Sequence, residues 1–235
     1  MSWSIVASQT ANGTTSPVAY PGNCTAGNVL VSVTRWAGNA AGPSGSNLTD
    51  TLGNTWVQAS LETITGGSQS FQLWYVLNCK STGANSVSFT GVNSLADSVI
   101  AEFSPSGAIA SLDGSAISAT ANGTAPAPGN IVVAAGNSDL IVAGFMNSTA
   151  NGRTIGGTGT GFNIPTNGSV SGNGALIYGV NLTPGTYAPG FTISGGAVNW
   201  GSSGMAFSIP GSTGGGTSAS WLTVNLDNSL RGLRH

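Results

Sequence analysis

Charge is what this chain has least of. Its 235 residues include five Lys and Arg, seven Asp and Glu and one His, so 5% of positions are charged and the formal net charge is −2. Ordinary soluble domains carry about 25% charged residues. Binding nucleic acid requires clustered Lys and Arg to neutralise phosphates, and five scattered cations do not supply them. The one histidine is His235. A Ser-His-Asp or Cys-His site therefore has no internal imidazole, and Cys24 and Cys79 have no histidines to complete a zinc tetrahedron. Two cysteines are also too few for a disulfide scaffold. Buried free thiols, a Cys24–Cys79 disulfide and a bridge to another molecule all stay open. No run of 18 apolar residues is present, so no membrane span is expected. "MSWSIVASQTANG" lacks a basic start followed by a long apolar run, so no export signal is expected either.

The acids are just as sparse. Glycosidases on sandwich folds set two carboxylates about 5 to 10 Å apart across a cleft. Here Asp50, Glu62, Asp97, Glu102, Asp113, Asp139 and Asp227 stand singly. Asp50 in "TDTLGNTW" and Asp113 in "LDGS" read as turn formers, because Asp side chains bond their own backbone ahead of Gly. "GGTGTGF" at 156–162 offers close glycines, but no helix follows to present its N-terminus to a phosphate. The expectation is no catalytic residue, no metal ligand and no cofactor. A near-neutral chain also lacks the repulsion that keeps molecules apart, which favours dense packing against neighbours.

What the chain does have is alternation. Apolar residues alternate with Ser, Thr or Asn over short runs bounded by Gly, Asn and Pro, the pattern of strands. "WSIVAS", "NVLVSVTRW", "TWVQASLETI", "SFQLWYVLN", "NSVSFTG", "SVIAEFS", "AISATA", "DLIVAGFM", "ALIYGVNL", "GFTISG" and "GMAFSIP" are the clear ones. Several match in order: "NVLV" at 28 with "DLIV" at 139, "LWYVLN" at 73 with "LIYGVN" at 176, "SFTG" at 88 with "GFTI" at 190, and "VIAEFSPSG" at 99 with "GMAFSIPG" at 204. Two similar halves follow. The alignment assigns an inner face to Leu73, Tyr75 and Leu77 with Leu176, Tyr178 and Val180, and to Val29, Val31 and Val33 with Leu140, Val142 and Gly144. Phe103 aligns with Phe207 in the last core strand of each half.

The predicted fold is all-β: a two-sheet antiparallel β-sandwich of jelly-roll type over residues 1–210, with halves at about 1–107 and 127–210, each supplying a Greek key. Two small sandwiches in tandem are the alternative. The phrases "VTRWAGN", "LTDTLGNTWVQAS", "LWYVLNCKSTGANSVSFTG", "SVIAEFSPSGAIASLDGSA" and "SDLIVAGF" resemble a β-sandwich module found in bacteriophage structural proteins and in large bacterial surface or secreted proteins. The resemblance covers residues 1–210 and rests on strand and turn phrases. It implies a sandwich fold and a virion or cell-surface setting.

The tail lies outside that resemblance. Residues 211–220 form a Gly/Ser/Thr-rich linker, and 221–235 read as an anchoring arm. In the arm, Leu222, Val224 and Leu226 fall on one side of a strand-like stretch that begins at Trp221. Leu230, Arg231, Leu233 and Arg234 then mix apolar and positive side chains, as in an extended segment that adds to a neighbour. The alternative is a tail folded back on its own sandwich. Trp36, Trp56, Trp74 and Trp200 are candidates for stacking sugar rings, the other reading being core or subunit contact. The expected function is that of a non-enzymatic virion structural protein, a head or tail decoration or fibre-like protein. Its partners would be other virion proteins and copies of itself. A carbohydrate-binding or adhesive module of a bacterial surface protein, with host-surface glycans as ligands, is the alternative. Neither nucleic acid nor membrane is expected as a partner.

Overall fold

A computed structural model describes residues 2–12, 16–37, 47–64, 66, 69–90, 94–134, 137–148, 153–156, 159–170 and 172–210. The first half lays down Ser4–Asn12 (β1), Val18–Cys24 (β2), Val29–Ala37 (β3), Asn47–Asp50 (β4), Val57–Thr63 (β5), Gln69–Val76 (β6), Gly83–Thr90 (β7) and Ser94–Ser104 (β8). A crossover carrying Ser111–Leu112 (β9) leads to the second half. There follow Ile117–Gly123 (β10), Ile131–Val133 (β11), Asn137–Asn147 (β12), Ile155–Gly156 (β13), Ser169–Val170 (β14), Gly174–Leu182 (β15), Gly185–Tyr187 (β16), Thr192–Ile193 (β17) and Val198–Pro210 (β18). Among the described residues there is no helix.

Two large antiparallel sheets form the sandwich, one from each half. Their orders are β1-β8-β3-β6-β5 and β10-β18-β12-β15-β14, with β9 added beside β18. The second order is the first, strand for strand, so the repeat seen in sequence is a repeat of topology. Register agrees: Val31 faces Tyr75 and Val33 faces Leu73, as Val142 faces Tyr178 and Gly144 faces Leu176. Likewise Val29 pairs with Phe103, and Leu140 with Phe207.

The connections differ from the expected single jelly roll. Among the described residues, neither large sheet takes strands from both halves. Each half instead weaves its large sheet with a small outer sheet of its own. In the first half this is β2-β7-β4; in the second, β11-β16 and β13-β17 occupy the corresponding places. A second-half counterpart of β7 is split where Pro189 and Gly190 separate β16 from β17, because proline withholds a ladder donor.

Period-two alternation puts one face of each large sheet into a shared core. Val29, Val31, Val33, Leu73, Tyr75 and Phe103 meet Leu140, Val142, Leu176, Met205 and Phe207, with Leu77, Tyr178 and Val180 packed at the margin. Thus the inner faces read from the alignment stand. Tyr75 meets Phe207 edge-on at 5.8 Å, and Phe103 meets Tyr178 at 5.6 Å. The sheets approach tightly where Gly144 faces Val33: a Cβ on Gly144 would lie 2.4 Å from Val33 Cγ1. The opposite faces are buried as well. Leu30, Trp36, Trp74, Val76 and Ile100 lie under β2-β7-β4, and Ile141, Phe145, Ile177 and Trp200 lie under the second half's outer strands.

Polar clasps join the halves at both ends of the shared core. At one end the Asn181 side chain accepts from Trp3 N–H at 2.6 Å and donates to Trp3 C=O at 3.2 Å, while the Trp3 indole donates to Ser138 C=O at 2.9 Å. At the other end, Arg35 forms a buried ion pair with Asp97 and donates to Asn147 C=O at 2.8 Å. Asn173 closes this clasp by donating to both Asp97 oxygens at 3.2 Å.

Candidate functional site

Tryptophan stacking fails on burial. Trp36, Trp56, Trp74 and Trp200 are 1%, 8%, 5% and 6% exposed, so none presents an open ring face to a sugar. Strands β3 and β6 place Trp36 and Trp74 on either side of Gln72 beneath the outer sheet, where both indole N–H groups donate to Gln72 Oε1 at 2.9 Å. Trp56 donates to Asp50 at 3.1 Å. Trp200 N–H is buried without a partner. These rings are the middle of a layered wall, and the core reading replaces the platform reading.

The cysteines are both free and buried, the first of the three readings left open, without the Cys24–Cys79 disulfide. They share one cluster, yet each sulfur has other company. Cys79 Sγ donates to Ser81 C=O at 3.4 Å and receives Asn54 Nδ2 at 3.7 Å, and Cys24 lies near Asn85 and Glu102. Burial pushes both thiols up from their ordinary range, and the Glu102 carboxylate adds to the rise. Neutral, buried thiols are poor nucleophiles.

The acids act on the backbone and on one another. Asp50 is the hub of the turn it opens: it accepts from Asn54 N at 3.0 Å, Asn54 Nδ2 at 2.7 Å and Asn85 Nδ2 at 3.2 Å, as a turn former should. Glu62 accepts from Ser118 and so ties β5 to β10. Glu102, fully buried, accepts from Thr25 N at 2.8 Å and Asn28 Nδ2 at 2.6 Å. Asp113, expected to form a turn, gives its side chain to a distant segment instead, accepting Ala134 N–H at 2.7 Å. Asp139 is buried on the outer face of β12, and neither of its oxygens has a hydrogen-bond donor. Desolvation, then the neighbouring Asp113 carboxyl, push Asp139 up to about 8. Among the described residues, no three His, Cys, Asp or Glu side chains come together, and no helix is long and apolar enough to cross a membrane.

Two kinds of open surface remain. A cleft of about 560 Å³ lies between β1 and residues 163–167, walled by Ile5, Ala7, Pro21, Ile164 and Pro165, with Asn163, Asn167 and Tyr178 at its polar side. Elsewhere apolar side chains reach solvent: Val57 and Leu61 on β5, Ile109 and Leu112 in and beside β9, and Val132 on β11. The proposed anchor residues Trp221, Leu222, Val224, Leu226, Leu230, Arg231, Leu233 and Arg234 lie outside the described residues, as does the linker 211–220. Reading the sequence missed both clasps and the Asp113–Asp139 pair. Arg35, Asp97 and Asp139 stand inside or against strongly apolar strands of a chain nearly without charge, and that placement was the available signal.

Compared with protein-family models, curated proteins and solved structures, the chain matches nothing.

Proposed function

We propose that the chain is a non-enzymatic structural protein of a bacteriophage particle, a decoration or fibre-like protein of head or tail. On this reading the 221–235 segment holds it to other virion proteins, and its sandwich packs against them or against copies of itself. The observation that carries the proposal is where the few charges go. Arg35, Asp97, Glu102 and Asp139 are buried, four of the twelve charged residues among five Lys/Arg and seven Asp/Glu. The surface left over is close to neutral and carries exposed Val57, Leu61, Ile109, Leu112 and Val132. Such a surface is suited to close apposition, because little charge has to be desolvated when it is covered. Large protected sandwiches followed by a Gly/Ser/Thr spacer suit display from a tethered end.

The test is sedimentation of the full chain, from its native source, beside a version ending at Gly211. The full chain is expected to run with a large particle, in moderate and in high salt alike, because apolar contacts are not screened. The shortened chain is expected to stay behind as a folded monomer. Equal sedimentation of both as small species would reject the anchor. Release of the full chain by salt alone would reject the apolar account of its attachment.

A further inference from the structure

The two halves treat one position differently. In the first half Asn28, at the entrance to β3, donates its amide to Glu102 on β8 at 2.6 Å. Its sequence counterpart in the second half is Asp139 at the start of β12, and the counterpart of Glu102 is Ala206 on β18. Ala206 and Ser208, both buried, are too small to offer Asp139 what Glu102 offers Asn28. Across that strand Asp139 pairs with Ser208, and Ser208 pairs with Ser111 of β9. Asp113, just beyond β9, donates its own N–H to Ala206 C=O at 3.0 Å. An acid thus stands where the first half has an amide donor, opposite a second acid. Asp139 can play the part of Asn28 only when it carries a proton.

We propose that Asp113 and Asp139 share one proton, and that this proton fastens the crossover between the halves to the second large sheet. The clasp extends one step further, since Asp113 also holds Ala134 N–H and so brings the end of β11 under the same control. The neighbours fit this assignment. Asp139 pairs with Ser208 of β18 and Leu182 of β15, Ser208 pairs in turn with Ser111 of β9, and Asp113 accepts from Ala134 after β11. Asp113 is the one titratable or charged group among these described neighbours. A second carboxylate, fully buried and with no donor, is costly unless it is neutral.

The sign of the pH dependence follows. The folded-state pKa of Asp139 is raised, so the folded chain holds a proton that the unfolded chain has released. The contribution is whole below the ordinary carboxylate range, fades as pH rises, and is gone above about 8. Within that window the folding equilibrium constant falls by up to about tenfold per pH unit.

The experiment is urea unfolding of the full chain from about pH 4 to pH 9.5, for wild type and for Asp139→Asn, which restores the amide of the first half. Wild type is expected to lose stability through the window, and Asp139→Asn to lose less and to exceed wild type at the alkaline end. An unchanged slope in Asp139→Asn overturns the proposal. If Asp139→Asn does not fold, Asp113→Asn takes its place: its amide donates to an ionised Asp139, so a flattened profile supports the shared proton and an unchanged one rejects it. Calcium added at the alkaline end is the remaining arm. A calcium-dependent gain confined to wild type would make the pair a cation site and overturn the proposal.

Discussion

Arg35 decides more than its size suggests. It joins Asp97 within the first half and Asn147 of the second, and all of this happens out of water. A buried ion pair gains little over apolar residues of similar volume, but losing one partner strands the other charge at a cost of about 3–5 kcal/mol. Arg35→Met is therefore expected to destabilise the fold by that amount, and Arg35→Met with Asp97→Leu to recover most of it, read as urea midpoints. Additive losses in the double variant would mean that the two side chains are not coupled. The position also shows what sequence could reveal. Arg35 in "SVTRWAG" and Asp97 in "LADSV" interrupt apolar strands, which marks each as unusual. Their pairing depends on β3 lying beside β8, and no local pattern announces that.

At the scale of strands, alternation was a good guide where strands are long and a poor one where they are short. All eleven expected runs contain a strand, although "GFTISG" keeps only the two residues of β17. The strand β2 was missed because Pro21 and Gly22 sit inside it; they are tolerated there because β2 is the edge of its sheet and its pairing breaks between Ala19 and Asn23, where proline does least harm. Inner faces were legible because both halves place them in one core, so the same residue types recur. Outer faces were not, since each half covers them differently: Trp74 and Val76 lie under one three-stranded sheet, Ile177 under short broken strands. The edge strand β5 bears on assembly. Its Val57 and Leu61 are 42% and 40% exposed, and unprotected apolar edges invite pairing with another chain. Replacing both with Lys is expected to change stability by no more than about 0.5 kcal/mol and to lower self-association in sedimentation. Unchanged association would remove β5 from the contact surface.

For the molecule as a whole, the question is whether each half is a protein in its own right. Each has a large sheet, outer strands over it and an apolar layer between them, which argues for independence and for the tandem reading. The shared core argues the other way. In a half cut free, Val29, Val31, Val33, Leu73 and Phe103 would line an open sheet face with no cover, a continuous apolar patch larger than soluble monomers tolerate. The clasps at Asn181 and Arg35 would lose their partners at the same time. Hence the full chain is expected to unfold in one cooperative step, with calorimetric and van't Hoff enthalpies in agreement, while residues 1–107 alone are expected to aggregate or to lack a cooperative transition. A monomeric, cooperatively folding 1–107 would show that the outer layer suffices for each half, and that the large sheets meet as two finished sandwiches rather than as the two walls of one core.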